Sequence, residues 1–373
     1  MRTEHISRQN TCRLSGAVTA MLASILLLVT LFAFVITANW ANAQSKSAGR
    51  IDLSCRAKIP VWMAEQKVPT VGVAVIEDGK LKEVKVFGEL RKGVPAQFNT
   101  IFGVASLTKP ITALLALLLV NVGQWDLDEP LSNYWVDPDV KDDPKLRKLT
   151  TRLVLSHQTG FPNWRHGKLA FEFEPGTKFQ YSGEGFEYLR RAIERKFHKS
   201  LGKIAEPLLF APLGMKDTGF HWTDAMDQSK IAIAKDIVGK NLFPWIPSTA
   251  NAAASVLTTV EDYGKFGVEV IKGAGLSQKL YSEMSRPHVA IPDCERLSFG
   301  LGWVVASDLN NGEYALLHRG GHQGVRTVVI LLPKSKRGLI VLTNGERGEA
   351  LCNKTALSEK ILVCRPSPAD WSW

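Results

Sequence analysis

Between Pro110 and Asn121 the chain carries a single polar residue, Thr112, in an otherwise apolar run. Pro110 suits the first turn of a helix, where no N–H is needed, and Gly123 suits the position just past its end. A helix with almost no hydrophilic face has to lie in the middle of the molecule, so the rest of the chain must wrap around this one. Ser106-Leu107-Thr108-Lys109 runs directly into it. Three residues apart, Ser106 and Lys109 share a helical face, which brings the amine to the hydroxyl. Burial disfavours the charged amine and lowers its pKa, and a neutral amine there can take the serine proton. The unpaired N–H groups at the helix start lie where an oxyanion would form. These are the parts of a serine nucleophile with a lysine base.

The Ser-x-x-Lys pattern is weak by itself. Ser200-Leu201-Gly202-Lys203 also matches, but it follows Lys196 and Lys199 in a charged stretch, and its serine reads as the N-cap of an ordinary helix. Only the buried helix behind Ser106 separates the two copies.

The first 43 residues read as a signal for export. Arg2, Arg8 and Arg13 precede an apolar stretch over 17–38, and Ala41-Asn42-Ala43 offers a small-x-small cleavage site. The stretch is long for a signal core and almost spans a bilayer, so cleavage after Ala43 is expected, with an uncleaved membrane anchor as the alternative. Either way the remaining chain is placed outside the cytoplasm, in the periplasm or beyond, or held at the inner membrane. Lys and Arg number 46 against 36 Asp and Glu, spread along the chain with acidic residues interleaved. That pattern describes a solvated surface, so no nucleic-acid partner is expected, while attraction to anionic envelope polymers stays open. Cys55, Cys294, Cys352 and Cys364 follow the export segment without metal or redox spacing, and in an oxidising compartment they allow one or two disulfides, with three pairings open.

Strand signals sit at both ends of what remains. Residues 71–76 and 81–87 flank Asp78-Gly79, a hairpin turn, after a helix expected over 51–66 with Leu53, Ala57, Val61 and Ala64 on one face. Residues 299–306, 314–318, 325–332 and 339–342 read as further strands before a last helix over 349–363, and the middle reads as short helices and loops. An antiparallel sheet built from N- and C-terminal segments, flanked by helices and interrupted by a helical insertion, follows: an α+β fold with its sheet part in 44–105 and 255–373 and its helical part in 106–254.

In this arrangement the chain resembles the serine β-lactamase and penicillin-binding-protein superfamily, closest to the class C branch with its esterases and D-amino-acid peptidases. The resemblance rests on Ser106-x-x-Lys109, on Tyr181-Ser182-Gly183 where Tyr-x-Asn is usual, and on His318-Arg319-Gly320 where Lys-Thr-Gly is usual. Leu155-Ser156-His157-Gln158-Thr159-Gly160, Pro212-Leu213-Gly214-Met215 and residues 255–266 also resemble family landmarks, and the likeness covers about 51–363.

The resemblance implies a β-lactamase/transpeptidase-like fold and assigns roles. Tyr181 would share with Lys109 the work of base for Ser106 and acid for the leaving group, its phenol pushed toward phenolate by the lysine, with the resting proton on either. The backbone N–H groups of Ser106 and Gly321 would form the oxyanion hole beside Gly320, and His318 would line the site as a hydrogen-bond donor. No carboxylate or third ligand accompanies His318 and His322, so neither a metal nor another cofactor is expected. The expected activity is that of an exported serine hydrolase acting on a small ester, amide or peptide through an acyl-enzyme. Because Gly183 and His318 replace the groups that contact an acylamide and a carboxylate, an esterase or D-amino-acid amidase is favoured over an efficient β-lactamase. The alternatives are a weakly catalytic penicillin-binding or peptidoglycan-sensing protein, and a true class C-like β-lactamase.

Overall fold

The computed structural model describes residues 58–357 apart from 225, 243–246, 293, 295, 310 and 311, all of them in the unit Leu53–Trp373. Residues 1–43, expected from sequence to direct export, lie outside the described residues, as do Cys55 and Cys364.

The strands are β1 (Thr70–Glu77), β2 (Lys80–Arg91), β3 (Val94–Pro95), β4 (Ile101–Gly103), β5 (Leu257–Thr259), β6 (Val289–Ala290), β7 (Leu297–Phe299), β8 (Val304–Ala306), β9 (Ala315–His322), β10 (Val325–Leu332) and β11 (Arg337–Thr343). The helices are α1 (Ile59–Gln66), α2 (Thr108–Asn121), α3 (Thr151–Leu155), α4 (Gly183–Phe197), α5 (Leu201–Ala205), α6 (Ala211–Leu213), α7 (Val260–Ile271), α8 (Gln278–Ser285) and α9 (Gly348–Leu357). Nine strands form one antiparallel sheet in the order β3-β2-β1-β11-β10-β9-β8-β7-β6, and β4 pairs with β5 in a small second sheet. This is the α+β fold expected from the strand signals at the two chain ends.

The join between those ends is β1 against β11, from Val71 opposite Thr343 to Ile76 opposite Gly338. Period-two alternation gives this part of the sheet two buried faces. Ala74, Ile76, Val329, Leu331, Ile340 and Leu342 face one core with α2, α4 and α7, while Val73, Val75, Val328, Ile330, Leu339 and Val341 face a second core with Ile59 and Met63 of α1 and Leu351 of α9. Between β1 and β2 only Asp78 and Gly79 intervene, both at positive φ (52° and 68°), the backbone of a two-residue hairpin.

Helix α2 is buried from Thr108 through Leu117, and Gly123 follows it at φ 71°. Its one mid-helix hydroxyl, on Thr112, donates to the Ala252 carbonyl at 2.7 Å.

Two readings need correction, and two others gain detail. The strand expected over 299–306 is two strands, β7 and β8, because the chain turns at Gly302 (φ 82°), where a Cβ would lie 2.1 Å from Cβ of Ala113 in α2. Only glycine lets that turn close against the central helix. In α1 the buried pair is Ile59 and Met63, and Val61 is 56% exposed, so the apolar face lies elsewhere than on Val61 and Ala64. The last helix starts at Gly348 and is described to Leu357; the rest of the expected 349–363 lies outside the described residues. Cys294 is disulfide-bonded and Cys352 is a buried free thiol, which removes every pairing that uses Cys352.

Candidate active site

Ser106 sits where the chain leaves β4 and enters α2. Ala105 turns it sharply, at φ 48°, and residues Ala105–Leu107 form a short 3-10 turn ahead of the helix. A buried non-glycine residue in the left-handed region costs on the order of 1–3 kcal/mol, so the surroundings must impose it. They do so through Val104, whose N–H donates to Val256 (3.1 Å) and whose carbonyl accepts from Thr327 Oγ1 (3.0 Å). The Thr108 hydroxyl accepts from the Val256 N–H at 3.0 Å. The turn is thereby tied to the segment leading into β5 and to β10, and Ser106 remains 6% exposed at the head of a turn whose first N–H groups have no partner within it.

Lys109 is fully buried, its Nζ donating to Ser106 Oγ at 3.2 Å and to the Ala253 carbonyl at 3.0 Å. Loss of hydration brings its pKa down to about 7, and the nearby Glu187 carboxylate opposes part of that fall. Moving an amine from 10.5 to about 7 corresponds to about 5 kcal/mol. Burial of Ile111, Leu114, Leu115, Leu117 and Leu119 on the same helix, at roughly 1.5–3 kcal/mol each, is large enough to offset it.

Tyr181 precedes α4, whose N-cap Ser182 accepts the Gly185 N–H on its hydroxyl at 2.9 Å. Its side chain is buried and Lys109 Nζ stands 4.5 Å above the ring centre. Burial pushes the phenol pKa up, and a hydrogen bond with Ser106 only partly reverses this. The reading of a phenol pushed toward phenolate is therefore corrected: the shifts have opposite signs, so the proton rests on Tyr181 and the amine is the group that releases one near neutrality.

His318 lies on β9, buried, with its ring centre 6.3 Å from that of Tyr181. Its Nδ1 is 2.7 Å from the Arg319 carbonyl, which can only accept, so Nδ1 carries the proton. Burial and the Lys109 charge lower its pKa to about 3. The neutral ring thus holds a lone pair on Nε2, which has no partner among the described residues. The expected donor is corrected to an acceptor. Arg319 points to the other face of the strand, bonded to Asn353 at 2.7 Å.

Gly320 closes the site. A Cβ there would lie 2.3 Å from the Val104 carbonyl oxygen and 3.1 Å from the Ser106 nitrogen, so only glycine lets β9 meet the Ser106 turn. At Gly321 a Cβ would meet Arg326 only at ordinary distance, 3.7 Å, on the opposite face. Strand β8 pairs with β9 no further than Leu317, leaving 318–322 with a ladder on the β10 side alone.

Two residues near the site escaped assignment from sequence. Trp164 packs over Gly183: a Cβ on that glycine would lie 2.7 Å from Cη2 of the indole and 2.9 Å from the Asn163 carbonyl. His157 is wholly buried, with its ring stacked on Tyr181 at 4.2 Å. The Ser-His-Gln run was visible as a landmark, but nothing in it announced that the imidazole would reach the tyrosine. Among the described residues no group of three or more His, Cys, Asp and Glu is arranged to hold a metal ion.

The Beta-lactamase family model matches residues 56–359, most of the chain. The chain belongs to the Beta-lactamase family. The match supports a hydrolase at the level of that family. A penicillin-binding protein of Bacillus subtilis (strain 168) is 23% identical over 298 residues, covering 70% of this chain and 64% of that protein. Protein flp of Staphylococcus aureus is 23% identical over 305 residues, covering 74% and 60%, so the chain spans less than two thirds of the length of these relatives. Among solved structures, the octameric penicillin-binding protein homologue from Pyrococcus abyssi has TM-score 0.69 at 23% identity, covering 79% of this chain and 73% of that one. D-amino acid amidase from Ochrobactrum anthropi SV3 has TM-score 0.67 at 23% identity, covering 80% and 95%. At these identities the structural likeness concerns the fold.

Proposed function

We propose that this protein is an exported serine hydrolase that cleaves esters or amides through an acyl-enzyme on Ser106. The observation that carries the reading is a fully buried lysine, with a pKa lowered to about 7, bonded to a serine at the mouth of a strained turn. Neutral Lys109 takes the Ser106 proton as Oγ attacks the substrate carbonyl carbon. The oxyanion forms beside the Ser106 N–H and, by analogy within the family, the Gly321 N–H. As the bond to the leaving group breaks, the Tyr181 phenol donates a proton to it, and the proton on Lys109 returns to the phenolate. Water then attacks the ester, Lys109 takes its proton, and that proton restores Ser106. Losing a single oxyanion donor from such a site costs about 3 kcal/mol.

The substrate class follows from charge. A neutral His318 whose Nε2 accepts gives no attraction to a carboxylate, and Trp164 fills the space beside Gly183 where a longer side chain would contact an acylamide. Both features favour short-chain esters or D-amino-acid amides that lack a free carboxylate over penicillins and cephalosporins. The amidase activity named for the Ochrobactrum relative is consistent with this class. Peptidoglycan is a further candidate partner in the envelope, reached by a chain released from residues 1–43 or anchored by them.

Incubation with a fluorophosphonate and, separately, a fluorescent penicillin, followed by intact mass over time, tests the reading. The expected result is rapid labelling by the fluorophosphonate at Ser106, with a penicillin adduct that forms slowly. A penicillin adduct that forms rapidly and persists, with no ester or amide turnover, would replace the hydrolase by a sensor.

A further inference from the structure

His157 is held in an uncommon backbone state. It follows α3 at φ 56°, its N–H donating to Val154 (3.1 Å), and it is completely buried. From this position it grips the segment that carries Tyr181 at three successive residues. Its carbonyl accepts the Gln180 N–H at 2.9 Å, its Nδ1 accepts the Ser182 N–H at 3.0 Å, and its ring lies against the Tyr181 ring at 4.2 Å with 25° between the planes. Phe186 and Phe299 box the imidazole on other sides, with ring centres at 5.3 and 4.6 Å. Because Nδ1 accepts a backbone N–H, the proton is on Nε2, which is buried without a partner among the described residues. Neither ring nitrogen is hydrogen-bonded to Ser106.

We propose that His157 is the positioning residue for Tyr181: it sets the phenol's place and angle against Ser106 and Lys109 by clamping the backbone on both sides of the tyrosine and backing its ring. The proposal rests on the acyl-enzyme reading above. It separates His157 from general structural support, because a misplaced phenol harms protonation of the leaving group selectively. Substrates with poor leaving groups suffer, whereas an activated ester or a fluorophosphonate, whose leaving group departs without a proton, does not.

Two variants divide the clamp. His157→Asn keeps a side-chain acceptor at the same distance from the backbone and tolerates positive φ, but removes the ring. His157→Phe keeps a ring and removes the acceptor. Acylation by an amide and by an activated ester of the same acyl group is measured for each, beside the rate of fluorophosphonate labelling and the melting temperature. Each variant is expected to lose about 10- to 100-fold in amide kcat, the scale of an ångström-level displacement of a catalytic group. Amide KM, ester turnover and labelling should stay within about threefold, a range too small to signal loss of the nucleophile. Should His157→Phe fail to fold, His157→Asn decides the matter alone. Equal losses for amide and ester, or unchanged amide turnover in a folded His157→Asn protein, overturn the positioning role while the nucleophile stands. Absence of labelling in the unmodified protein overturns the acyl-enzyme reading and the role of His157 with it.

Discussion

The chain contains the same four-residue pattern twice, and the two copies differ in almost everything but sequence. Ser106 and Lys109 are buried at the start of a 14-residue helix, their side chains 3.2 Å apart. Ser200 and Lys203 are exposed at a five-residue helix, where Ser200 occupies the N-cap without a side-chain capping bond. The first lysine loses its water and with it the preference for charge, while the second keeps its hydration. Packing has removed solvent from the amine in the first copy alone, and the four-residue pattern by itself does not separate the two.

The largest difference between the two copies is expected at the serines. Ser106→Ala is expected to abolish both hydrolysis and fluorophosphonate labelling, and Ser200→Ala to leave both unchanged. Equal losses from the two would dissolve the distinction between them.

The lysines should differ as well. Arg keeps a positive charge but does not deprotonate in proteins, so Lys109→Arg should be as damaging as Lys109→Ala, about 10²- to 10⁴-fold in kcat/KM. Lys203→Arg should be silent. In the proposed mechanism the neutral amine is the active form, so activity of the unmodified protein should rise with pH and lose half its value as pH falls to about 7. An acid limb centred instead on the carboxylate range would show that Lys109 acts only as a charge.

A third test concerns what surrounds the first copy and not the second. Tyr181→Phe should slow amide acylation by about 10²- to 10⁴-fold, the range for removal of a positioned acid or base. Esters with activated leaving groups should lose less. Parallel losses on both substrates would remove Tyr181 from the leaving-group step.

The smallest effect is expected at the edge of the site. His318→Lys, which exchanges a neutral acceptor for a cation, should raise penicillin acylation relative to ester hydrolysis by about 10- to 100-fold, the worth of a hydrogen bond to a charged group. Gly183→Asn is not a clean companion, because its Cβ would meet Trp164 at 2.7 Å and the Asn163 carbonyl at 2.9 Å. Cephalosporin turnover by the unmodified protein that matched its ester turnover would make it a β-lactamase in activity as well as in family.

Where a feature depends on residues near one another in the chain, the amino-acid order by itself determined it. The apolar run behind Lys109, the Asp78-Gly79 hairpin and the apolar, β-branched runs of β1, β10 and β11 carry their own composition and turn chemistry, and each formed close to where the pattern placed it. Tertiary structure decided what depends on partners far along the chain. Residues 299–306 look like one strand until Gly302 meets Ala113; the tautomer of His318 follows from how its ring bonds to the next carbonyl in a fold that buries it; and His157 and Trp164 gain meaning only beside Tyr181 and Gly183. Hydrogen-bond partners, desolvation and contacts of a few ångströms are properties of the assembled core, and no local pattern of side chains encodes them.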